Sequence, residues 1–290
     1  MDQQTRQRAI ELYDAYTHDD RDRRAFLRQM TLLAGSVAAA EALIATIAAS
    51  PVAAAVVPAD DKRLKTRSER WESAPGRSMS AYVAEPARGT AGPLVVVIHE
   101  NRGLTEHIRD VARRVALTGH RAVAPDLLAP AGGTPADENK AREMIGALDL
   151  AATVKDAQSV FPRFARGRKA GVTGFCWGGA MVNRLAVAGA PGLAAAVSYY
   201  GPAPDPAEAS KVAVPLMLHL PELDTRVAGT VRPFVAALQA AGKPVTLHEY
   251  PGANHAFNND TSAERYDAAA AKLAWDRTLA FFKQQLSSAK

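Results

Sequence analysis

The chain has a single cysteine, and it sits in Gly174-Phe175-Cys176-Trp177-Gly178. This G-x-C-x-G pattern is the thiol version of the G-x-S-x-G turn, where a strand ends, a nucleophile sits in strained backbone and a helix begins. The glycines answer a steric demand: side chains two positions either side of the nucleophile would collide with the neighbouring strand and helix. Lys169-Ala170-Gly171-Val172-Thr173 reads as a short buried strand, and Gly178 to Ala190 reads as a small-residue helix able to pack close to a sheet. A thiol at that helix's N-terminus has its thiolate favoured by the helix dipole. The chemistry on offer is nucleophilic attack, which needs a base and a group to orient that base.

Two residues further along suit those roles. Asp224 lies just past an apolar run ending at Leu220, and His255 lies past another run ending at Tyr250. The histidine can take the thiol proton, while the carboxylate holds its tautomer and stabilises the imidazolium. Glu222 competes with Asp224 for the acid role, although two residues earlier it should point elsewhere. A fourth candidate is Glu100, where the very apolar Pro93–His99 run ends in Glu100-Asn101-Arg102. A carboxylate at a buried strand mouth is costly unless paired, so Glu100 is either functional or bound to Arg102 or Arg109.

The elements that must position these groups alternate along the chain. Strand character falls at 78–84, 93–99, 121–124, 169–173, 193–200, 214–220 and 246–250, with helical spacing between. One long helix is expected over about 137–161, and a closing helix has Trp275, Leu279, Phe282 and Leu286 on one face. Pro162 and Pro244 are read as helix ends or turns. This alternation implies one α/β domain with a mostly parallel central sheet flanked by helices. Ligands bind beyond the carboxyl ends of such strands, where Cys176, Asp224 and His255 all fall. Their chain order of nucleophile, acid and histidine is that of the α/β-hydrolase fold. In that fold the oxyanion hole is made by the backbone N–H after the nucleophile and by one from the loop after the early strand, here Trp177 and Asn101.

Composition narrows the class. The chain has 290 residues, 48% of them hydrophobic and 22% charged, which suits a soluble globular protein. One cysteine excludes an intramolecular disulfide and a cysteine-based zinc cluster. His107, His120, His219 and His248 show no metal-ligand spacing, so neither metal nor cofactor is expected. The net charge of +5 favours anionic ligands slightly, but no basic run with interleaved aromatics suggests nucleic acid. Nothing in the pattern sets the oligomeric state.

The first 56 residues are a separate problem. A polar helical lead over 1–22 is followed by Arg23-Arg24-Ala25-Phe26-Leu27-Arg28, a mildly apolar stretch from Met30 to Ala49, and Pro51-Val52-Ala53-Ala54-Ala55. This order resembles a twin-arginine export signal, which implies a periplasmic or exported protein. The alternative is an N-terminal helical arm retained in the cytoplasm and packed on the domain or on a partner. The apolar stretch is rich in alanine and glycine and carries Glu41, so no stable membrane span is expected. On either reading this segment is expected to lie outside the catalytic fold, which runs over 57–290.

Taken together, HENRGL at 99–104, GFCWGG at 174–179, ELDTR at 222–226 and NHAFNNDT at 254–261 resemble the dienelactone hydrolase family (carboxymethylenebutenolidases), with RYD at 265–267 and AWDRTLAFF at 274–282 in support. The resemblance covers roughly residues 60–288, and is greater to the branch with an export-like N-terminus. It implies Cys176 as nucleophile, Asp224 and His255 as its partners, and Glu100 as a carboxylate that contacts the resting thiol and deprotonates it when substrate binds. The implied substrate is a small-molecule ester or lactone. Family members hold a substrate carboxylate with arginines, one of them four residues beyond the catalytic histidine; that position here is Asn259, leaving Arg102 and Arg226 as candidate replacements. Three functions remain open: an ester or lactone hydrolase acting through a thioester, a thioesterase or peptidase using the same triad, and a non-catalytic binding module on a hydrolase fold.

Overall fold

Eight strands form one sheet in a computed structural model that describes residues 2–18, 22–48 and 55–287. They are β1 (Leu64–Ala74), β2 (Arg77–Pro86), β3 (Leu94–Ile98), β4 (Arg121–Asp126), β5 (Ala170–Phe175), β6 (Leu193–Tyr199), β7 (Leu216–Pro221) and β8 (Val245–Tyr250). Their spatial order is β1-β2-β4-β3-β5-β6-β7-β8. Antiparallel pairing is confined to β1 with β2 and β2 with β4; from β4 through β8 every pairing is parallel.

The apolar run at β3 is continuous because both of its faces are covered. Leu94, Val96 and Ile98 enter one core, beneath α6 (Leu150–Phe164), α7 (Trp177–Ala188) and α8 (Thr225–Ala240). Val95 and Val97 enter the other, beneath α4 (Glu106–Leu117) and α9 (Ala268–Leu286). Each such buried aliphatic side chain contributes about 1.5–3 kcal/mol relative to exposure, which makes β3 a rigid base for the loop after it.

Three features differ from the sequence expectation. Strand β1 was not foreseen, because its Leu-Lys-Thr-Arg-Ser-Glu-Arg-Trp-Glu-Ser-Ala run is polar; it is an edge strand, where charge blocks further pairing. The single helix expected over 137–161 is two, α5 (Glu138–Gly146) and α6. Asp137 caps the first, and Asp149 restarts the chain by accepting from Ala152 N–H at 2.8 Å. Pro162 lies inside the last turn of α6 rather than beyond its end.

The N-terminal segment folds as three helices, α1 (Gln3–His18), α2 (Arg23–Ala34) and α3 (Val37–Ile47). Gly35 at φ 82° ends α2, and the Ser36 hydroxyl caps α3, so the two axes diverge by 105°. That break divides the apolar stretch read from the sequence, and no single described helix is long and apolar enough to cross a membrane. Ala9, Ile10, Tyr13, Phe26, Met30, Ala40, Leu43 and Ile47 instead form an apolar core between the three helices. The small-residue run at 51–54 lies outside the described residues. The chain rejoins the sheet at Val56 and Val57, whose N–H groups donate to the two carboxylate oxygens of Asp110.

Candidate active site

Cys176 occupies the turn between β5 and α7 with φ 57° and ψ −117°, a conformation side chains rarely adopt. Its N–H donates to the Tyr199 carbonyl at 3.0 Å, tying the strained turn to β6. The flanking glycines are obligatory on steric grounds. A Cβ on Gly174 would run into the Gly178 backbone, and one on Gly178 would run into the carbonyls of Ile98 and His99. Trp177 opens α7, so helix geometry leaves its N–H without an intrahelical partner. Its ring stacks on His99 at 5.4 Å, and His99 is locked in turn by Nδ1–H donation to the Glu100 carbonyl and acceptance from Leu127 N–H.

Asp224 leaves β7 as the N-cap of α8, with Oδ1 accepting from Val227 N–H at 3.1 Å. Its Oδ2 accepts from His255 Nδ1–H at 2.5 Å. One carboxylate thus caps a helix and fixes the tautomer of the histidine. His255 Nε2 is buried, has no hydrogen-bond partner among the described residues, and lies within 4.8 Å of Cys176 Sγ. Burial opposes a charge on this ring, but Asp224 and an ionised Cys176 outweigh it and push the imidazole up to about 10, so the ring holds the proton once the thiol has given it up. Burial likewise opposes the charge on Asp224, and His255 more than offsets it, holding the carboxyl below its usual range. Glu222 points away, accepting from Gly252 N–H at an exposed position.

Glu100, which the resemblance sets on the resting thiol, accepts instead from Asn259 Nδ2 at 2.9 Å. Asn259 stands where the family carries an arginine, and its amide occupies the carboxylate. The sulfur's own partner is a residue the sequence reading did not consider. His18, the last residue of α1, places Nε2 3.0 Å from Cys176 Sγ, and its ring meets that of His255 edge-on at 4.5 Å. The expectation that the N-terminal segment lies outside the catalytic fold is therefore corrected: α1 ends in the site. No local signal marked His18, because it stands 158 residues from the sulfur it meets.

Tyr200 is a buried core residue that also borders the site. It sits at the end of β6 with φ 39°, its ring is 5.1 Å from that of His255, and its hydroxyl is buried with no partner among the described residues. Burial, with Glu100 and Cys176 adding to it, pushes this phenol well above its ordinary range, so it stays a hydrogen-bond donor. A polar aromatic at the carboxyl end of the strand beside the elbow was the available clue.

A cavity of about 890 Å³ opens over Cys176, with Asn101, Trp177 and His18 in its wall. Arg23, Arg142, Arg184 and Arg226 face it against one acid, Glu143. Arg226 Nη2 is buried there without a partner among the described residues. Arg102 is outside this cavity; it donates to the Tyr13 hydroxyl and pairs with Glu138 at 3.1 Å. The sulfur of Cys176 and one ring nitrogen each of His18 and His255 lie within 4.8 Å of one another.

A strained thiol at a strand-to-helix elbow, facing an Asp-backed histidine across the carboxyl ends of a parallel sheet, defines a hydrolase of the α/β class. Residues 79–286 match the model of the dienelactone hydrolase family, and the chain belongs to that family. A protein of Escherichia coli O157:H7, provisionally named a carboxymethylenebutenolidase, is 34% identical over 260 residues, covering 82% of this chain and 93% of its own. A similarly named protein of Methylorubrum extorquens is 32% identical over 278 residues, covering 89% and 93%. Among solved structures, a provisionally assigned dienelactone hydrolase from Klebsiella pneumoniae superposes with a TM-score of 0.67 at 30% identity, over 76% of this chain and 99% of its own. The chain is an enzyme of the carboxylic ester hydrolase class.

Proposed function

We propose that the enzyme cleaves a small ester or lactone through a thioester on Cys176. The supporting observation is His255 Nε2, buried and unpartnered, within 4.8 Å of Sγ and braced from behind by Asp224. The thiol proton passes to Nε2, and the sulfur attacks the carbonyl carbon. The oxyanion forms against the N–H groups of Trp177 and Asn101, where preorganised donors are worth about 2.7–4 kcal/mol each. Collapse expels the alkoxide or enolate, which takes the proton from His255. Water, deprotonated by the same nitrogen, then attacks the thioester, and the carboxylate product leaves with the thiol restored.

The substrate carries an anionic group. Four arginines against one acid line the cavity, and Arg226 holds an uncommitted buried N–H donor there. An arginine in such a site binds a carboxylate by charge-assisted hydrogen bonds. Arg226, rather than Arg102, is the anchor in this reading, because Arg226 lines the cavity over Cys176 and Arg102 lies outside it, against Tyr13 and Glu138.

The test is hydrolysis of a panel of esters and lactones, with and without a carboxylate, by the full chain and by Cys176→Ala. Turnover lost in the variant, and acyl-enzyme mass on Cys176 in the parent, are expected. Normal turnover by Cys176→Ala would sink the thioester reading.

A further inference from the structure

We propose that helices α1–α3 remain on the working enzyme as a cap over the active site, and that His18 is a positioning residue that accepts the S–H of Cys176 and keeps the resting nucleophile protonated. This rests on the reading of Cys176 as nucleophile, and it adds to that reading a residue and a structural unit.

The cap is a folded unit that grips the catalytic loops. It has its own apolar core, which a segment destined only for removal does not require. Arg265 Nη1 donates to Asp14 at 3.0 Å, while Arg265 Nε and the Ser262 hydroxyl both donate to the Ile47 carbonyl. Gln7 Nε2 donates to Asn254, the residue before His255, at 2.9 Å. On the other side of the site, Asn101 Nδ2 donates to the Thr17 carbonyl at 3.1 Å, and Arg142 donates to the Tyr16 hydroxyl at 2.8 Å. The cap therefore joins the loop bearing His255 to the loop bearing the Asn101 amide, and it forms one wall of the cavity through Tyr16, Thr17 and His18.

The direction of the His18–Cys176 hydrogen bond follows from the other ring nitrogen. His18 Nδ1 lies 2.8 Å from the Asp14 carbonyl oxygen, which can only accept. Nδ1 therefore carries the proton, and in the neutral ring Nε2 presents a lone pair to sulfur. A lone pair at 3.0 Å welcomes S–H and repels S⁻, so the contact stabilises the neutral thiol. The ring stays neutral because burial, together with the nearby His255 and Arg226, holds it well below the ordinary histidine range.

The other groups near the sulfur divide by charge. His255, with Asp224 behind it, comes from the loop after β8, and Arg226 comes from the start of α8; both favour a thiolate. Glu100 and Arg102 follow β3, Tyr200 follows β6, and Asp14 lies one turn back on α1. Removal of the His18 lone pair frees the sulfur to pair with His255, which otherwise lacks a partner. Substrate entering along the cap wall displaces the imidazole from sulfur and leaves the S–H to His255.

The experiment is the pH dependence of Cys176 alkylation by iodoacetamide in the full chain, its His18→Ala variant and its Arg265→Gln variant, with melting temperature as a fold control. In His18→Ala the alkylation midpoint is expected to move down by about one pH unit, giving roughly tenfold faster reaction below it. Arg265→Gln loosens the docked cap and also removes a positive charge that acts on His18 and Tyr200, and is expected to move it in the same direction by less. An unchanged or upward midpoint in a folded His18→Ala protein overturns the proposal. So does an intact mass, from protein made in its own host, that begins beyond Ile47. Alkylation requires no turnover, so this outcome is independent of whether Cys176→Ala retains hydrolysis.

Discussion

Two regions meet at the Cys176 sulfur, and they were built by different means. The mouth of the parallel sheet presents Cys176, Asp224 and His255 just beyond the ends of β5, β7 and β8, where the fold leaves little freedom. The helical unit of α1–α3 reaches the same sulfur with His18 by docking onto the finished fold: it adds no strand to the sheet, has an apolar core of its own, and is held by side-chain hydrogen bonds, ion pairs and a backbone hydrogen bond from Glu264 N–H to the Thr46 carbonyl. The contrast teaches that an active site can be completed from outside the motif that announces it, with the outer part free to modulate the inner.

Changes at the sheet mouth should carry the largest effects. Asp224→Asn removes the partner that fixes the His255 tautomer, and steady-state kinetics should show kcat reduced by roughly 10³–10⁴-fold. Gly178→Ala forces a methyl against the Ile98 and His99 carbonyls, and denaturant unfolding should show a loss of about 1–3 kcal/mol together with lost activity. Unaltered stability in that variant would mean that the elbow is looser than its contacts imply.

Disturbing the cap should be quieter. Met30→Ala leaves a hole in its small core, costing about 2–4 kcal/mol locally. Hydrogen exchange over 3–47 should rise while the sheet strands stay protected; loss of protection across the whole sheet would show that the two regions fold as one. Arg226→Ala is expected to raise KM about tenfold for carboxylate-bearing esters and to leave neutral esters nearly unchanged.

The last effect is one of pH. His255 is raised from 6.5 to about 10 in the folded protein, so its contribution to stability is complete below 6.5 and is lost as pH climbs through about 10. The gap in melting temperature between the parent and Asp224→Asn should therefore narrow over that interval.

Much of the architecture was legible because sheet periodicity is local. The β3 run could be read as doubly buried from five residues, and the elbow from the spacing of its glycines. Strand β1 escaped because an edge strand has no need of apolar residues on both faces, and the break between α5 and α6 escaped because its sign was a single aspartate cap. For Glu100 the sequence offered Arg102, Arg109 or the thiol as partners, whereas the structure pairs it with Asn259, which only the folded loops bring near.

The amino-acid order by itself determined the fold class, the strained thiol and the succession of acid and histidine, because each depends on backbone geometry over a few residues or on the topology of a parallel sheet. Tertiary structure alone decided which group touches the sulfur at rest, which arginine faces the cavity and where the N-terminal helices lie. Those outcomes depend on side chains far apart in the chain meeting at one point, and no periodicity or spacing records such a meeting.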